Sequence, residues 1–250
     1  MANLPDVPAL LVAYSGGKDS LATIDICCRA GRRVDAFFMY FLPGLDYTAH
    51  WTDFARKRWG ITVREYPHWN LSYFLRVGVF RLSPDPRCEK LSITDIEAKA
   101  REDSGLEWIG YGYKKIDSLQ RRGFLSKSWP DGINPERKCF TPIAEWNNTV
   151  VKQYLARRRI PIPGIDGKRS GGIDLSPACL AWLRAEWPDD LRRILKVFPL
   201  AARQADRAPQ IEANEKTERA ARKLTRRAGA GTGDHAFSDQ TGGLQPACDL

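Results

Sequence analysis

The sequence lacks the apolar runs and cysteine pairs that mark several protein classes. No apolar run in its 250 residues is long enough to cross a membrane, and the start, MANLPDVP, does not resemble a secretory signal. None of its six cysteines forms a CxxC pair, and Cys27 and Cys28 are adjacent, which disfavours a disulfide framework or a zinc site. We expect thiols in a reducing cytoplasm, most of them buried as small apolar side chains.

Histidine and negative charge are both scarce. There are three histidines, and neither His50 nor His68 has a partner at metal-ligand spacing, so we expect both to be structural. Lys and Arg number 39 against 30 Asp and Glu, which gives a formal net charge of +9. This balance favours anionic partners, such as nucleotides, nucleic acid or phosphorylated and sulfated metabolites, without choosing among them.

Apolar runs alternate with helical patterns along the first part of the chain. Strands are predicted at 9–14, 34–42, 61–66 and 106–112. Helices are predicted from about 19 to 30, at 49–59 and from about 92 to 103. This alternation predicts an α/β fold with a Rossmann-like parallel sheet and helices on both faces.

Beyond residue 140 the strand signals become rare, and apolar residues recur every three or four positions. Helices are predicted there at 150–159, 176–187 and 189–198. We therefore expect an α/β domain at 1–165, a helical extension packed on it at 166–200, and a basic helix with a disordered tail at 201–250.

The segment SGGKDS links the first strand to the first helix. Its glycines, Gly16 and Gly17, let backbone N–H groups approach a ligand without interference from a Cβ atom. The following helix directs its unpaired N–H groups and its positive dipole end to the same place. Lys18 adds a positive charge, and Ser15 and Ser20 add hydroxyl groups. A plain glycine turn would not explain the lysine, so we predict a phosphate-binding loop.

An aspartate in this loop, Asp19, would repel a bare phosphate. It is expected either as a negative charge in the first helical turn or as a ligand for Mg²⁺ that accompanies the phosphates.

A second group of polar residues follows the fourth predicted strand in GYKKIDSLQR. They are Gly112, Lys114, Lys115, Ser118 and Arg121. At the carboxyl edge of the sheet they could bind a second anion across from the first loop. The alternative is a solvated basic surface. Asp117 could orient Arg121 or bind a metal, and the sequence leaves both roles open.

Three segments in order resemble the PP-loop ATP pyrophosphatases (adenine nucleotide alpha hydrolases), and among them the phosphoadenosine phosphosulfate reductase-like family. SGGKDS resembles the pyrophosphate-binding loop of these proteins. GYKKIDSLQR resembles their G-x-R-x-x-x-S-x-x-R pattern, with Lys114 at the usual arginine. TPIAEWNNTVVKQYLARRRIPIP, at 141–163, resembles their PI-x-x-W helix and the proline loop after it.

This resemblance covers residues 9–165 and implies ATP and Mg²⁺ as ligands. It implies that Ser15–Ser20 bind phosphates, with Lys18, Asp19 and Arg121 as catalytic residues. Tyr40, with Phe41 beside it, would border the adenine or ribose, although a core role for this strand end is equally compatible with the sequence.

Other segments differ from the sulfonucleotide reductases of this family. Their ECGxH-like motif has no counterpart in the C-terminal QPACDL, where Cys248 lacks basic neighbours that would activate its thiol. The segment DTGxxFPET is replaced by PGLDYTAHW. We therefore expect an enzyme that splits ATP between its α and β phosphates to adenylate an acceptor, in sulfur transfer or nucleic-acid modification. A sulfonucleotide reductase and a non-catalytic nucleotide-binding module remain the alternatives.

The stretch 216–227, KTERAARKLTRR, carries six basic residues and one acidic residue. On a helix most of the basic side chains would crowd onto one face, where their repulsion costs stability that a polyanion could restore. We expect this stretch to recruit nucleic acid. A solubilising helix, or docking on a partner subunit as in a homodimer, explains the pattern equally well.

Overall fold

The computed structural model describes residues 3–164, 172–204 and 206–207. Within them, one sheet contains β1 (Ala9–Tyr14), β2 (Arg33–Tyr40), β3 (Thr62–Pro67), β4 (Ile109–Gly110), β5 (Ile133–Asn134) and β6 (Cys139–Phe140). The strand order is β3-β2-β1-β4-β6-β5, and every neighbouring pair is parallel except β5 and β6. The predicted parallel sheet is therefore confirmed, with one short antiparallel strand at its edge.

Helices follow most of the strands. They are α1 (Lys18–Arg29), α2 (Asp46–Trp59), α3 (Trp69–Val77), α4 (Ile93–Ser104), α5 (Leu119–Ser128), α6 (Asn148–Arg157), α7 (Pro177–Glu186) and α8 (Pro188–Val197). The helices predicted up to residue 198 and the first three predicted strands are confirmed with small shifts at their ends. The fourth predicted strand is reduced to the two residues of β4, and α3 and α5 were not predicted.

Alternating side chains of β1 place helices on both faces of the sheet. Leu10 and Val12 point into an apolar cluster formed with residues of α1, α2 and α6. Leu11 points the other way, into a cluster with α4 and α5 residues such as Ile96 and Leu125. All of these side chains are buried, as expected for a central parallel strand that is covered on both faces. The structure confirms an α/β fold of the Rossmann-like type.

The helices α7 and α8 pack beside the sheet through a third apolar cluster. In this cluster Leu180 and Ile194 pack with Leu42 and Leu45 from the segment after β2. A buried carboxylate strengthens this packing, because Asp190 accepts hydrogen bonds from the backbone N–H groups of the first two residues of α2, both at 2.8 Å. A negative charge at a helix N-terminus is favourable. The Asp190 side chain of α8 therefore caps the N-terminus of α2, although the two helices are far apart in the sequence.

The strand order changes direction at β1, which lies between β2 and β4. In an open parallel sheet, loops diverge at such a point and leave a crevice at the carboxyl ends of the strands. The loop after β1 and the loop after β4 therefore face each other across this crevice.

Parts of the sequence predictions fall on residues that the structure does not describe. They include Cys248 and the basic stretch 216–227, which stay predictions, as do the domain boundaries. In the described part of the chain, no helix is long and apolar enough to cross a membrane. Cys27, Cys28, Cys88 and Cys139 are thiols, and Cys27 and Cys139 are buried as expected.

Candidate functional site

A cavity of about 670 Å³ opens at the carboxyl ends of β1, β2 and β4. Its volume is within the usual range of pockets that bind small molecules. The lining residues come from the loop after β1, the end of β2, the start of α3, the β4–α5 loop, and the segment 172–176 before α7. The sequence prediction that the first and fourth loops share one site agrees with this arrangement.

The first wall of the cavity is the predicted phosphate loop. Gly16 has φ +75°, a backbone conformation that favours glycine. Gly17 precedes α1 in extended conformation and offers no capping side chain, so the first N–H groups of the helix are not capped by it. The hydroxyl of Ser20 donates to the Gly17 carbonyl at 2.9 Å and fixes the turn. Ser15, Gly17, Asp19 and Ser20 line the cavity.

Gly112 lies against the start of α1. A Cβ atom at this position would come within 2.8 Å of the Asp19 carbonyl carbon and 2.9 Å of the Ser20 backbone nitrogen. Both are backbone atoms, which cannot give way as a flexible side chain can. The residue therefore has to be glycine, since it lets the β4–α5 loop approach the helix N-terminus.

A buried network of charges lies behind these two loops. Asp19 Oδ2 is 3.0 Å from Lys18 Nζ and 2.7 Å from Lys114 Nζ, and Lys114 Nζ is also 3.0 Å from Asp117 Oδ1. The side chain of Lys114 is fully buried. The prediction that Lys114 binds an anion at this edge of the sheet therefore needs correction, because its ammonium group bridges two carboxylates inside the protein.

The two oxygens of Asp19 differ in their surroundings. Oδ2 contacts two ammonium groups, whereas Oδ1 is buried without a hydrogen-bond partner. A buried carboxylate oxygen without a partner can still accept a hydrogen bond or coordinate a cation. Asp19 could therefore coordinate a cation that is bound together with phosphates. Within the described ranges, no three His, Cys, Asp or Glu residues group into a metal cage. A Mg²⁺ ion beside Asp19 would therefore need phosphate oxygens among its ligands.

Arg121 stands on the opposite wall of the cavity. Its Nη1 donates to Asp117 Oδ2 at 3.2 Å, and its guanidinium lies 4.2 Å from the centre of the Tyr113 ring. Ser118 caps α5 by accepting a hydrogen bond from the Arg121 backbone N–H at 3.0 Å. Asp117 contacts both Arg121 and Lys114, which is the arrangement expected if it orients Arg121.

Six predicted site residues do not line this cavity, namely Gly16, Lys18, Tyr40, Lys114, Lys115 and Ser118. Tyr40 packs between two apolar clusters, while its neighbour Phe41 faces the cavity instead. Lys115 forms an ion pair with Glu145. Lys18 is 5% exposed and contacts Asp19, so its charge acts on the loop from behind.

Some lining residues were not anticipated from the sequence. Glu97 is 4% exposed and accepts a hydrogen bond from the hydroxyl of Tyr111. His68 was expected to be structural, and it does cap α3, because its Nδ1 accepts from the Asn70 N–H at 3.0 Å. It also lines the cavity, and burial lowers its pKa, which keeps the imidazole neutral near pH 7. Only the placement of Glu97 one turn into the amphipathic helix α4 could have suggested its burial.

No protein-family model matches the sequence, and neither does any curated protein. Among solved structures, the chain is similar to a U34-tRNA thiolase, NcsA, from Methanococcus maripaludis with its [4Fe-4S] cluster. The identity is 12%, over 78% of this chain and 73% of that one, and the TM-score is 0.44.

Two further likenesses are weaker. A predicted subunit of tRNA methyltransferase from Methanocaldococcus jannaschii is 17% identical over 76% of this chain and 87% of that one, with a TM-score of 0.39. The NH3-dependent NAD synthetase from Campylobacter jejuni is 14% identical over 82% of this chain and 85% of that one, with a TM-score of 0.39. The TM-scores are low, so the function of this chain has to be argued from its own residues.

Proposed function

We propose that the protein binds ATP in the 670 Å³ cavity and cleaves it between the α and β phosphates, transferring AMP to an acceptor. The observation that carries this proposal is the glycine loop at Ser15–Ser20, which forms the strand–helix turn at the crevice. Helix N-termini and exposed backbone N–H groups are suited to phosphates. The loop sequence that resembles PP-loop proteins supports the same ligand.

In the proposed reaction an acceptor oxygen attacks the α-phosphorus. The bond from this phosphorus to the oxygen bridging the α and β phosphates breaks, and pyrophosphate leaves with the electron pair. The protein contributes position and charge rather than a covalent intermediate. The loop N–H groups hold the phosphates, Lys18 and Lys114 raise the local positive potential, and Arg121 faces the reacting group from the other wall.

Magnesium fits this proposal only as a companion of the nucleotide. Asp19 would be its protein ligand, and the ion would neutralise charge that builds up on the leaving pyrophosphate.

The first experiment measures the affinity for a non-hydrolysable ATP analogue and the products formed from ATP. We expect Lys18→Ala to weaken analogue binding about tenfold or more, because a charge-assisted contribution to phosphate binding is lost. Lys57→Ala, at an exposed position on α2, is the matched control and should change nothing. Unchanged affinity in Lys18→Ala would contradict the proposal.

The products separate the remaining alternatives. AMP with pyrophosphate supports adenylation, whereas ADP with phosphate contradicts it. Sulfite released from phosphoadenosine phosphosulfate would support a reductase. Tight nucleotide binding without any product would support a binding module.

We also propose that the basic stretch 216–227 recruits nucleic acid, on the strength of its charge alone. Removal of residues 201–250 should lower nucleic-acid affinity at low salt and flatten its salt dependence, while analogue binding at Ser15–Ser20 stays the same. Equal nucleic-acid binding by both forms would rule out this role.

A further inference from the structure

A second, smaller opening adjoins the main cavity on the side of α5. This side groove has a volume of about 360 Å³. It shares five lining residues with the main cavity, namely Ile93, Glu97, Tyr111, Tyr113 and Arg121. A ligand in the side groove would therefore lie next to whatever occupies the main cavity, on the far side of Arg121.

Four aromatic side chains line the side groove. Tyr111 and Tyr113 are stacked, with ring centres 4.7 Å apart and planes 13° apart. Phe124 and Trp129 meet at 5.4 Å with planes 56° apart. Phe124 is 39% exposed, so one aromatic ring remains available at the surface of the groove. Walls of this kind bind flat rings by stacking, largely without regard to the identity of the ring.

The polar groups of the groove can bind the edge of a ring. Glu97 presents a buried carboxylate, and the Tyr111 hydroxyl donates a hydrogen bond to its Oε1. The indole N–H of Trp129 is buried without a hydrogen-bond partner. A ligand edge with N–H donors would satisfy Glu97, and buried polar groups are normally satisfied in this way.

The charges of the groove cancel. Arg121 pairs with Asp117 at 3.2 Å, and Arg137 Nη2 lies 3.9 Å from Glu97 Oε2. A strongly anionic or cationic ligand would have to break these pairs, whereas a neutral ring would not. An uncharged planar heterocycle fits the groove better than a carboxylic acid or an amine.

We propose that the side groove binds the acceptor as an uncharged nitrogen heterocycle of nucleobase type, stacked on its aromatic wall. The role as acceptor site rests on the proposed function, because it requires ATP in the neighbouring cavity. The binding of a heterocycle in the groove does not depend on it.

The test uses free adenosine, guanosine, cytidine and uridine as probes, with benzoate as a charged flat ring for comparison. Binding is measured in the presence of a saturating non-hydrolysable ATP analogue, which blocks the main cavity. We expect at least one nucleoside to bind and benzoate not to bind. A stronger affinity for benzoate, or loss of nucleoside binding when the analogue is present, would overturn the proposal.

Two variants locate the bound ring. Phe124→Ala should weaken nucleoside binding about tenfold, because the ring loses a stacking partner. Tyr73→Ala is the matched control, since Tyr73 is 45% exposed on α3 and lines neither opening. Equal losses in both variants, or none in Phe124→Ala, would contradict the assignment.

Glu97→Gln provides an independent check that keeps the shape of the side chain. It should weaken the nucleosides that bind, because each of the four carries an N–H donor on its base and an amide oxygen accepts less strongly than a carboxylate. Unchanged affinities would argue against Glu97 as the acceptor of an N–H edge. If nucleosides bind the groove but the ATP analogue does not bind at all, the groove assignment stands and the proposed function fails.

Discussion

Two buried aspartates on α1, Asp19 and Asp25, have opposite surroundings. Asp25 lies in the middle of the helix, and both of its oxygens accept hydrogen bonds from side chains. Its donors are Tyr154 at 2.6 Å, Arg158 at 2.9 Å and Trp59 at 3.1 Å. Asp19 lies in the first turn beside the cavity, and one of its oxygens has no hydrogen-bond partner.

The difference indicates which carboxylate stabilises the fold and which one belongs to the site. Burial opposes ionisation of Asp25, but hydrogen bonds from Tyr154, Arg158 and Trp59 outweigh it and lower its pKa below the usual value. Its partners come from α2 and α6, so Asp25 joins three helices. The orphaned oxygen of Asp19 costs stability, which a protein tolerates where a ligand completes the contacts.

The largest effect is expected from Asp25→Asn. An amide cannot accept all three donors, so we expect the free energy of unfolding to fall by about 3 kcal/mol. Denaturant unfolding at pH 7 measures this loss. The affinity for the ATP analogue should stay the same. A stable variant that no longer binds nucleotide would show that Asp25 belongs to the site rather than to the structural core.

Gly112→Ala tests whether the close packing of the β4–α5 loop against the start of α1, where Asp19 lies, is needed for stability and binding. The new Cβ would collide with backbone of α1, so we expect a loss of about 2 kcal/mol in stability together with weaker nucleotide binding. Gly123→Ala is the control, because a Cβ there meets nothing within 4 Å and the residue lies within α5. This control should gain about 0.5–1 kcal/mol. Equal stability of the two variants would show that the loop can move away without cost.

Asp19→Asn should alter activity more than stability. Lys114 keeps its pair with Asp117, and the amide oxygen of asparagine can still accept from Lys18, so we expect the free energy of unfolding to change by less than about 1 kcal/mol. AMP formation should fall about tenfold or more, which corresponds to about 1.4 kcal/mol in the barrier. Thermal unfolding and product assays on the same preparation separate the two effects. A variant as active as the wild type would remove Asp19 from the site.

A smaller effect is expected from acid. Because the folded pKa of Asp25 is lowered, its contribution to stability is fully present above the ordinary carboxyl pKa of about 4 and is lost as the pH falls through the folded value. The wild type should therefore lose about 1 kcal/mol more than Asp25→Asn as the pH falls below about 4. Unfolding curves across this pH range test the expectation. Equal losses of stability in the wild type and in Asp25→Asn would show that the pKa of Asp25 is the same in the folded and unfolded states.

The sequence predicted best what depends on neighbouring residues. The strand–turn–helix at Ser15–Ser20 is local, and the predicted strand at 9–14 agrees with β1. The sequence was a poorer guide to elements whose conformation depends on tertiary contacts. The helix α5 contains Gly123 and a pair of basic residues, which weaken a helical pattern. The strand β4 has two residues, too few to show an alternating pattern. Lys114 was expected to face a ligand because nothing in its neighbours reveals the buried Asp19 beside it.

The bonds from Asp190 to the start of α2 have a consequence for synthesis on the ribosome. The start of α2 leaves the ribosome well before the carboxylate that caps it, because Asp46 precedes Asp190 by 144 positions. The segment Gly172–Ser176, which closes one side of the cavity, also emerges late. A nascent chain that ends before these residues lacks one wall of the cavity, so we expect the cavity to be complete only when the segment before α7 has been added.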